Sequence, residues 1–289
     1  MMITLAERIL TYGRMIKFSH SIFALPFALS GAALATLHSE VGPMRIFWIA
    51  MAMVGARSAA MGFNRLVDRK IDAANPRTAI RELPKGAITP GSVRGFIFIS
   101  SAVLVCSAYQ LNPLCFALSP VALLIVFFYS YTKRFTWATQ FFLGLSLSVA
   151  PIGAWIAVTG SLSLEILLLG AAVCTWVAGF DIIYSCQDAS FDSDYGIYSI
   201  PQRFGVKKAL GIARLLHAIS FLLMLSVGFS FGLGNIYWAG LVVVGLLIVY
   251  EHRLVKPDDL SRLGIAFMNV NAAISAVYFA FTAGDVLLR

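Results

Sequence analysis

Asn64, Asp68 and Asp72 stand four residues apart in the run NRLVDRKID, near the end of an otherwise apolar segment. A helix would carry all three oxygen-bearing side chains on one side. A second acidic run, DIIYSCQDASFD, ends another apolar segment, and its Asp181, Tyr184, Asp188 and Asp192 follow helical steps of three, four and four. Two carboxylates 4 Å apart repel by about 4 kcal/mol at an effective dielectric near 20, so acids gathered in this way call for a compensating cation. The oxygens are hard ligands, which suits magnesium, an ion held through few carboxylates together with waters and substrate phosphates. Cations stand close by: Arg77, Arg81 and Lys85 follow the first motif, and Lys133 lies four residues beyond Tyr129. Such side chains hold phosphate oxygens. A magnesium-bridged diphosphate is the guest this set suits, and a hydrocarbon attached to it would lie between apolar helices.

Those helices are written into the composition. Of 289 residues 59% are hydrophobic and 12% charged, with a mean hydropathy of +0.83, whereas a soluble domain is about 25% charged. Taking ~20 residues per crossing, nine spans are predicted at 19–38, 46–64, 93–111, 113–130, 137–158, 163–185, 208–230, 233–250 and 263–284. The formal charge of +8 is explained by orientation rather than by nucleic acid. With the N-terminus in the cytoplasm, every Lys and Arg except Arg45, Arg57 and Arg289 falls in the tail, the inner loops or the inner ends of spans, as the positive-inside rule requires. Both acidic motifs then open to the cytoplasm, beneath inner loops at 65–92 and 186–207. Residues 1–18, with Leu5, Ile9, Tyr12 and Ile16 in one stripe, are expected to form a helix lying in the interface. The whole chain, 1–289, reads as one domain.

The remaining polar residues attract plainer readings. Asp194, Asp258 and Asp259 suit solvated helix ends, and Asn269 and Asn271 suit interhelical hydrogen bonds. Lys133 and Arg134 also fit the role of inner-face anchors. The four histidines follow no pattern, and the four cysteines show no CxxC pairing, so buried inert thiols are expected. A cation-coupled transporter is the rival from another class. Its ionisable groups would sit near the midplane on broken helices, whereas these acids gather at one end.

From the LysPheSerHis segment at 17–20 to PheMetAsnValAsn at 267–271, the chain resembles the UbiA family of intramembrane aromatic prenyltransferases. Asn64, Asp68 and Asp72 match its Asn-x3-Asp-x3-Asp signature; Asp181, Tyr184, Asp188 and Asp192 match its second motif; Tyr129 and Lys133 match a Tyr-x3-Lys element followed by Arg134. The resemblance implies an all-α integral membrane bundle of nine transmembrane helices. It also implies transfer of a polyprenyl group from a magnesium-bound polyprenyl diphosphate to an aromatic acid. Asp68, Asp72, Asp188 and Asp192 would ligate magnesium, with Asp68 and Asp188 also counted as catalytic. Asn64, Arg77, Arg81, Tyr129, Lys133, Arg134 and Tyr184 would bind substrate. Asp181 would orient or deprotonate the aromatic hydroxyl, and Arg134 would meet the acceptor's carboxylate. The nearest likeness is to bacterial 4-hydroxybenzoate polyprenyltransferases of quinone biosynthesis in the inner membrane. Arg65, where an acid is common, and ArgGluLeuPro at 81–84 resemble instead a subgroup whose acceptor would be 1,4-dihydroxy-6-naphthoate. No nucleic acid and no obligate protein partner is implied, only the two substrates and membrane lipid.

Overall fold

The computed structural model describes residues 5–17 and 23–289, which are almost wholly helical, with one β-bridge between Lys256 and Asp259. In chain order the helices are α1 (Leu5–Met15), α2 (Leu25–Ala35), α3 (Pro43–Ala74), α4 (Pro90–Leu111), α5 (Pro113–Thr132), α6 (Thr139–Thr159) and α7 (Leu164–Ser185). A 3-10 turn, Cys186–Asp188, leads into α8 (Ala189–Tyr195), followed by α9 (Ile200–Phe204), α10 (Val206–Ser230) and α11 (Asn235–Leu254). A π-helical turn, Ile265–Val270, opens α12 (Asn271–Leu287).

Eight helical stretches among the described residues are long and apolar enough to cross a membrane. The ninth expected span, 19–38, is represented by α2 alone, since residues 18–22 lie outside the described part. Eleven residues reach roughly 16 Å, about half of a hydrocarbon core near 30 Å thick. The helix stops because Thr36, Leu37 and His38 turn back in three-residue steps onto Ala33, Leu34 and Ala35. Pro26, expected inside a span, sits in the first turn of α2, where its missing N–H costs nothing. Pro120 does lie within a helix, α5, and the carbonyl it strands, that of Phe116, accepts a bond from Ser119 Oγ at 2.9 Å.

Two inner segments are more ordered than expected. Helix α3 continues to Ala74, so the first ten residues of the expected loop at 65–92 are helical and Asp68 and Asp72 sit on a rigid element. It ends where Asn75 precedes Pro76, a position pushed out of the α region by the proline ring. The segment 186–207 holds the 3-10 turn, α8 and α9 rather than open loop. Of the expected interfacial helix over 1–18, α1 covers Leu5–Met15. Of the stripe, Tyr12 and Ile16 pack on protein: Ile16 is buried, as is its neighbour Met15, with Leu83, Ile88 and Val93, and Tyr12 stacks on Phe96 at 5.1 Å.

At the centre stands α7, whose Leu169, Val173, Trp176, Val177 and Ile183 are buried. Small residues bring its neighbours close. A Cβ on Gly144 of α6 would lie 2.2 Å from Cys174 O of α7, and one on Gly31 of α2 would lie 2.3 Å from Pro151 O of α6. Helices that cannot use the hydrophobic effect against lipid gain contact in this way. Of the cysteines, Cys186 is buried, whereas Cys106 is exposed on the outside of α4.

Candidate active site

Helices α3 and α7 bring the two acidic motifs to the same end of a cavity of about 640 Å³. Along α3 the cavity runs from Asp72 to Ile49, roughly 35 Å at 1.5 Å per residue, comparable to the thickness of a bilayer core. One end is polar; the other is lined by residues such as Met53, Leu104, Leu118 and Ile156. Asn64, Asp68, Asp72, Arg77, Arg81, Tyr129, Lys133, Asp181, Tyr184, Asp188 and Asp192 all line it.

Four of the five motif acids have a hydrogen-bond partner. Asp68 accepts from Asn64 Nδ2 at 3.0 Å, from Lys133 Nζ and from Arg134 Nη2. Asp72 accepts from Arg81 Nη1 at 2.6 Å. Asp188 receives the guanidinium of Arg77 on both oxygens, with Nε at 2.9 Å, and Asn75 Nδ2 at 3.1 Å. The hydroxyl of Tyr184 accepts from Arg77 Nη1 at 3.0 Å. Asp192 accepts from Ser199 Oγ at 2.8 Å, and Tyr198 N donates to Lys133 O, so the segment after α7 closes on the end of α5. Burial opposes the charge on Arg77, but its hydrogen bonds to Asp188 and Tyr184 and the Asp188 carboxylate outweigh that and hold it protonated above its ordinary range.

Arg134 departs from expectation. It does not line the cavity, and its donors go to Ser130 O, Val67 O and Asp68. The reason is its place at the start of the turn after α5, from which a long side chain folds back along α3. A cation that motif reading passed over, Lys17, does line the cavity. Its backbone lies in the left-handed region at φ 47, which ends α1 sharply. Two arginines of α3 fix that end, Arg65 donating to Met15 O at 3.1 Å and Arg57 to Lys17 O at 3.4 Å. Burial and then the guanidiniums of Arg65, Arg81 and Arg77 lower Lys17 to about 8. Its Nζ has no hydrogen-bond or ion-pair partner among the described residues. Asn75 was also missed; its only sequence signal is the AsnPro pair that ends the helix.

A magnesium ion fits the donor set. Asp72 Oδ2 is buried without a hydrogen-bond partner, its nearest cation being Arg65 Nη1 at 3.8 Å. No group of three or more Asp, Glu, His or Cys is close enough to hold an ion alone among the described residues. That favours an ion completed by substrate oxygens over an all-protein cage.

This arrangement, acids and cations at the polar end of an apolar cavity within a helical membrane bundle, defines a membrane enzyme for an amphiphilic anion. Residues 24–273 match the UbiA prenyltransferase family, and the chain belongs to it. It is therefore an integral membrane prenyltransferase. It is 30% identical over 285 residues to a 4-hydroxybenzoate octaprenyltransferase of Histophilus somni, covering 96% of this chain and 98% of that one. A protein of the same description from Aeromonas salmonicida is 29% identical over 287 residues, with coverage of 97% and 98%. Among solved structures, the apo form of a UbiA homolog from Aeropyrum pernix superposes with a TM-score of 0.83 at 35% identity, covering 91% of this chain and 96% of that chain. A UbiA homolog from Archaeoglobus fulgidus, bound to DMAPP and Mg2+, shares the fold with a TM-score of 0.71 at 18% identity, covering 96% and 100%.

Proposed function

We propose that the protein transfers a polyprenyl group from polyprenyl diphosphate to the ring of an aromatic acid, 4-hydroxybenzoate, in quinone biosynthesis at the inner membrane of a bacterium. The observation that carries this reading is the pairing of Asp68, Asp72 and Asp188 with phosphate-binding cations, and of Asp192 with a hydroxyl, at one end of an apolar cavity that follows α3 for most of a membrane's thickness. The names of the bacterial relatives support the acceptor. A second reading, 1,4-dihydroxy-6-naphthoate as acceptor in futalosine-route menaquinone synthesis, is favoured by Arg65 and by the ArgGluLeuPro run at 81–84.

Asp68, Asp72, Asp188 and Asp192 would hold magnesium, which when bound neutralises charge on the diphosphate and its leaving oxygens. Arg77, Arg81 and Lys133 are placed to take the diphosphate oxygens, and Asn64 and Tyr184 to orient the groups beside them. Their attraction grows as the carbon–oxygen bond of the prenyl diphosphate breaks and negative charge collects on the departing diphosphate, so it lowers the barrier rather than merely tightening binding. The apolar walls keep water from the allylic cation, and Tyr129 lines the cavity beside it. Asp181 orients the ring hydroxyl and accepts its proton as the new carbon–carbon bond forms, after which the hydrogen on the attacked ring carbon leaves as a proton, the ring oxygen regains one and aromaticity is restored. Lys17, rather than Arg134, meets the acceptor's carboxylate.

The test is diphosphate release from a prenyl diphosphate with and without acceptor. Release is expected only with the aromatic acid and is expected to stop on chelation; a transporter would release none, and release without acceptor or in excess chelator would remove the proposal. Orientation is tested separately. In a cysteine-free background, Lys85→Cys and Ser193→Cys, both at exposed positions, are expected to react with a membrane-impermeant thiol reagent only from the cytoplasmic side, and Ser161→Cys only from outside. The reverse pattern would overturn the cytoplasmic site.

A further inference from the structure

Outside the site, the most organised polar cluster lies where α7, α10, α11 and α12 meet. His217 Nδ1 lies 3.0 Å from His252 Nε2 and 3.4 Å from Glu251 Oε2, and its Nε2 lies 3.1 Å from Trp176 O. Asn271 donates through Nδ2 to Glu251 Oε1 at 2.7 Å and shares the same amide group with Ala266 O and Phe267 O, at 3.0 and 3.2 Å. Glu251, His217 and Asn271 are fully buried, and Glu251 Oε2 and Asn271 Oδ1 lack hydrogen-bond partners. Unsatisfied polar atoms in a membrane interior are costly, and apolar side chains would pack there without that cost.

What the cluster holds is the π-helical turn. The carbonyls of Ala266 and Phe267 belong to it, and Asn271 ties both to α11. A π turn takes in one residue more than an α turn; without it the residues before Asn271 would rotate by about 100° around the helix axis. Phe267 depends on that rotation. Its ring stacks on Tyr184 with centroids 4.1 Å apart and planes at 29°, and meets Phe180 edge-on at 5.6 Å. Tyr184 in turn accepts from Arg77, which clasps Asp188. A continuous set of contacts therefore runs from α11 to the phosphate-binding end of the cavity.

We infer that Glu251 and Asn271 are positioning residues for diphosphate binding: by bonding the π turn they set Phe267 against Tyr184, and so fix the Tyr184–Arg77 pair that faces the diphosphate. This rests on the diphosphate reading above. The route is physical, since Phe267 backs one face of the Tyr184 ring and the Arg77 guanidinium lies 5.4 Å from that ring's centroid.

The experiment uses the full chain purified in detergent. It measures the Kd of inorganic diphosphate in magnesium buffer by calorimetry, together with KM for prenyl diphosphate and for the aromatic acid. Phe267→Leu and Asn271→Leu are each expected to weaken diphosphate about tenfold, the order seen when groups behind a ligand shell are lost, with KM for the acid changed less than about twofold. Glu251→Gln, which keeps an acceptor oxygen for Asn271, is expected to restore affinity that Glu251→Leu loses. In a Tyr184→Leu background Phe267→Leu is expected to add less than about twofold, because the two act through one contact. Effects that multiply in the double variant, or a fall in thermal stability with diphosphate affinity unchanged, would overturn the inference. Should Asn271→Leu fail to fold, Phe267→Leu carries the test. A wild-type chain that binds no diphosphate would sink the functional reading as well, whereas equal binding by wild type and Phe267→Leu sinks this inference alone.

Discussion

Asp188→Asn is expected to lower turnover on the order of a thousandfold, as loss of preorganised charge stabilisation does in other enzymes, while leaving the unfolding temperature nearly unchanged. The two effects separate because of where Asp188 sits. Its side chain is 16% exposed and its partner Arg77 34%, so a guanidinium that loses the carboxylate regains water, and the structural cost is that of a surface pair, below about 1 kcal/mol. Asp68→Asn provides the contrast. That side chain is 2% exposed and faces both Lys133 and Arg134, so its loss leaves two cations beside a buried amide and is expected to lower stability as well as turnover. Thermal unfolding in detergent followed alongside single-turnover rates checks both. Wild-type turnover in Asp188→Asn would remove the second motif from the metal site.

Lys17→Met is expected to raise KM for the aromatic acid on the order of 10- to 100-fold, the equivalent of the roughly 1.5 to 3 kcal/mol carried by a hydrogen bond to a charged group. Three arginines crowd this ammonium and no carboxylate of the described chain is bonded to it, so an incoming anion relieves repulsion as well as gaining a contact. The methyl ester of the acid should be as poor a substrate for the wild type as the acid is for the variant, and the ester should not distinguish the two proteins. A pH dependence follows, because burial and those arginines lower Lys17 to about 8. The ammonium is charged below that value and neutral above it, so KM for the acid should be flat on the acidic side and rise as pH passes about 8, with the ester's KM level throughout. Initial rates for acid and ester across that range decide the matter. Equal discrimination in Lys17→Met would return the carboxylate to Arg134.

Much of the site was legible because its signals are local. Asn64, Asp68 and Asp72 share a helix face by spacing alone, and Asp181, Tyr184, Asp188 and Asp192 remain around one cavity although a 3-10 turn interrupts their helix. The extension of α3 to Ala74 could have been read from the same spacing together with the AsnPro stop. What escaped depends on contacts distant in sequence. Lys17 reaches the site because α1 is tied to α3 by Arg57 and Arg65, and nothing in a 17-residue tail announces such a tie. His217, Glu251, His252 and Asn271 look unrelated along the chain because they come from three helices, although the expected interhelical bond of Asn271 is present. The first span illustrates a limit of another kind. Hydropathy over 19–38 measures how apolar a segment is, but α2 is largely buried against α6 and α12, so its apolar composition reflects protein packing as much as lipid.

The pairing of three of the carboxylates with a lysine or arginine has a thermodynamic consequence. Arg77–Asp188, Arg81–Asp72 and Lys133–Asp68 neutralise one another at the mouth of the cavity, so a divalent ion that takes those carboxylates, or a diphosphate that takes those cations, has to break internal ion pairs. When one of them does, it frees the opposite charges that its counterpart needs. Their affinities are then linked, and by reciprocity each ligand must strengthen the other by the same factor. On the proposed reading, the protein should hold either species alone more weakly than the two together.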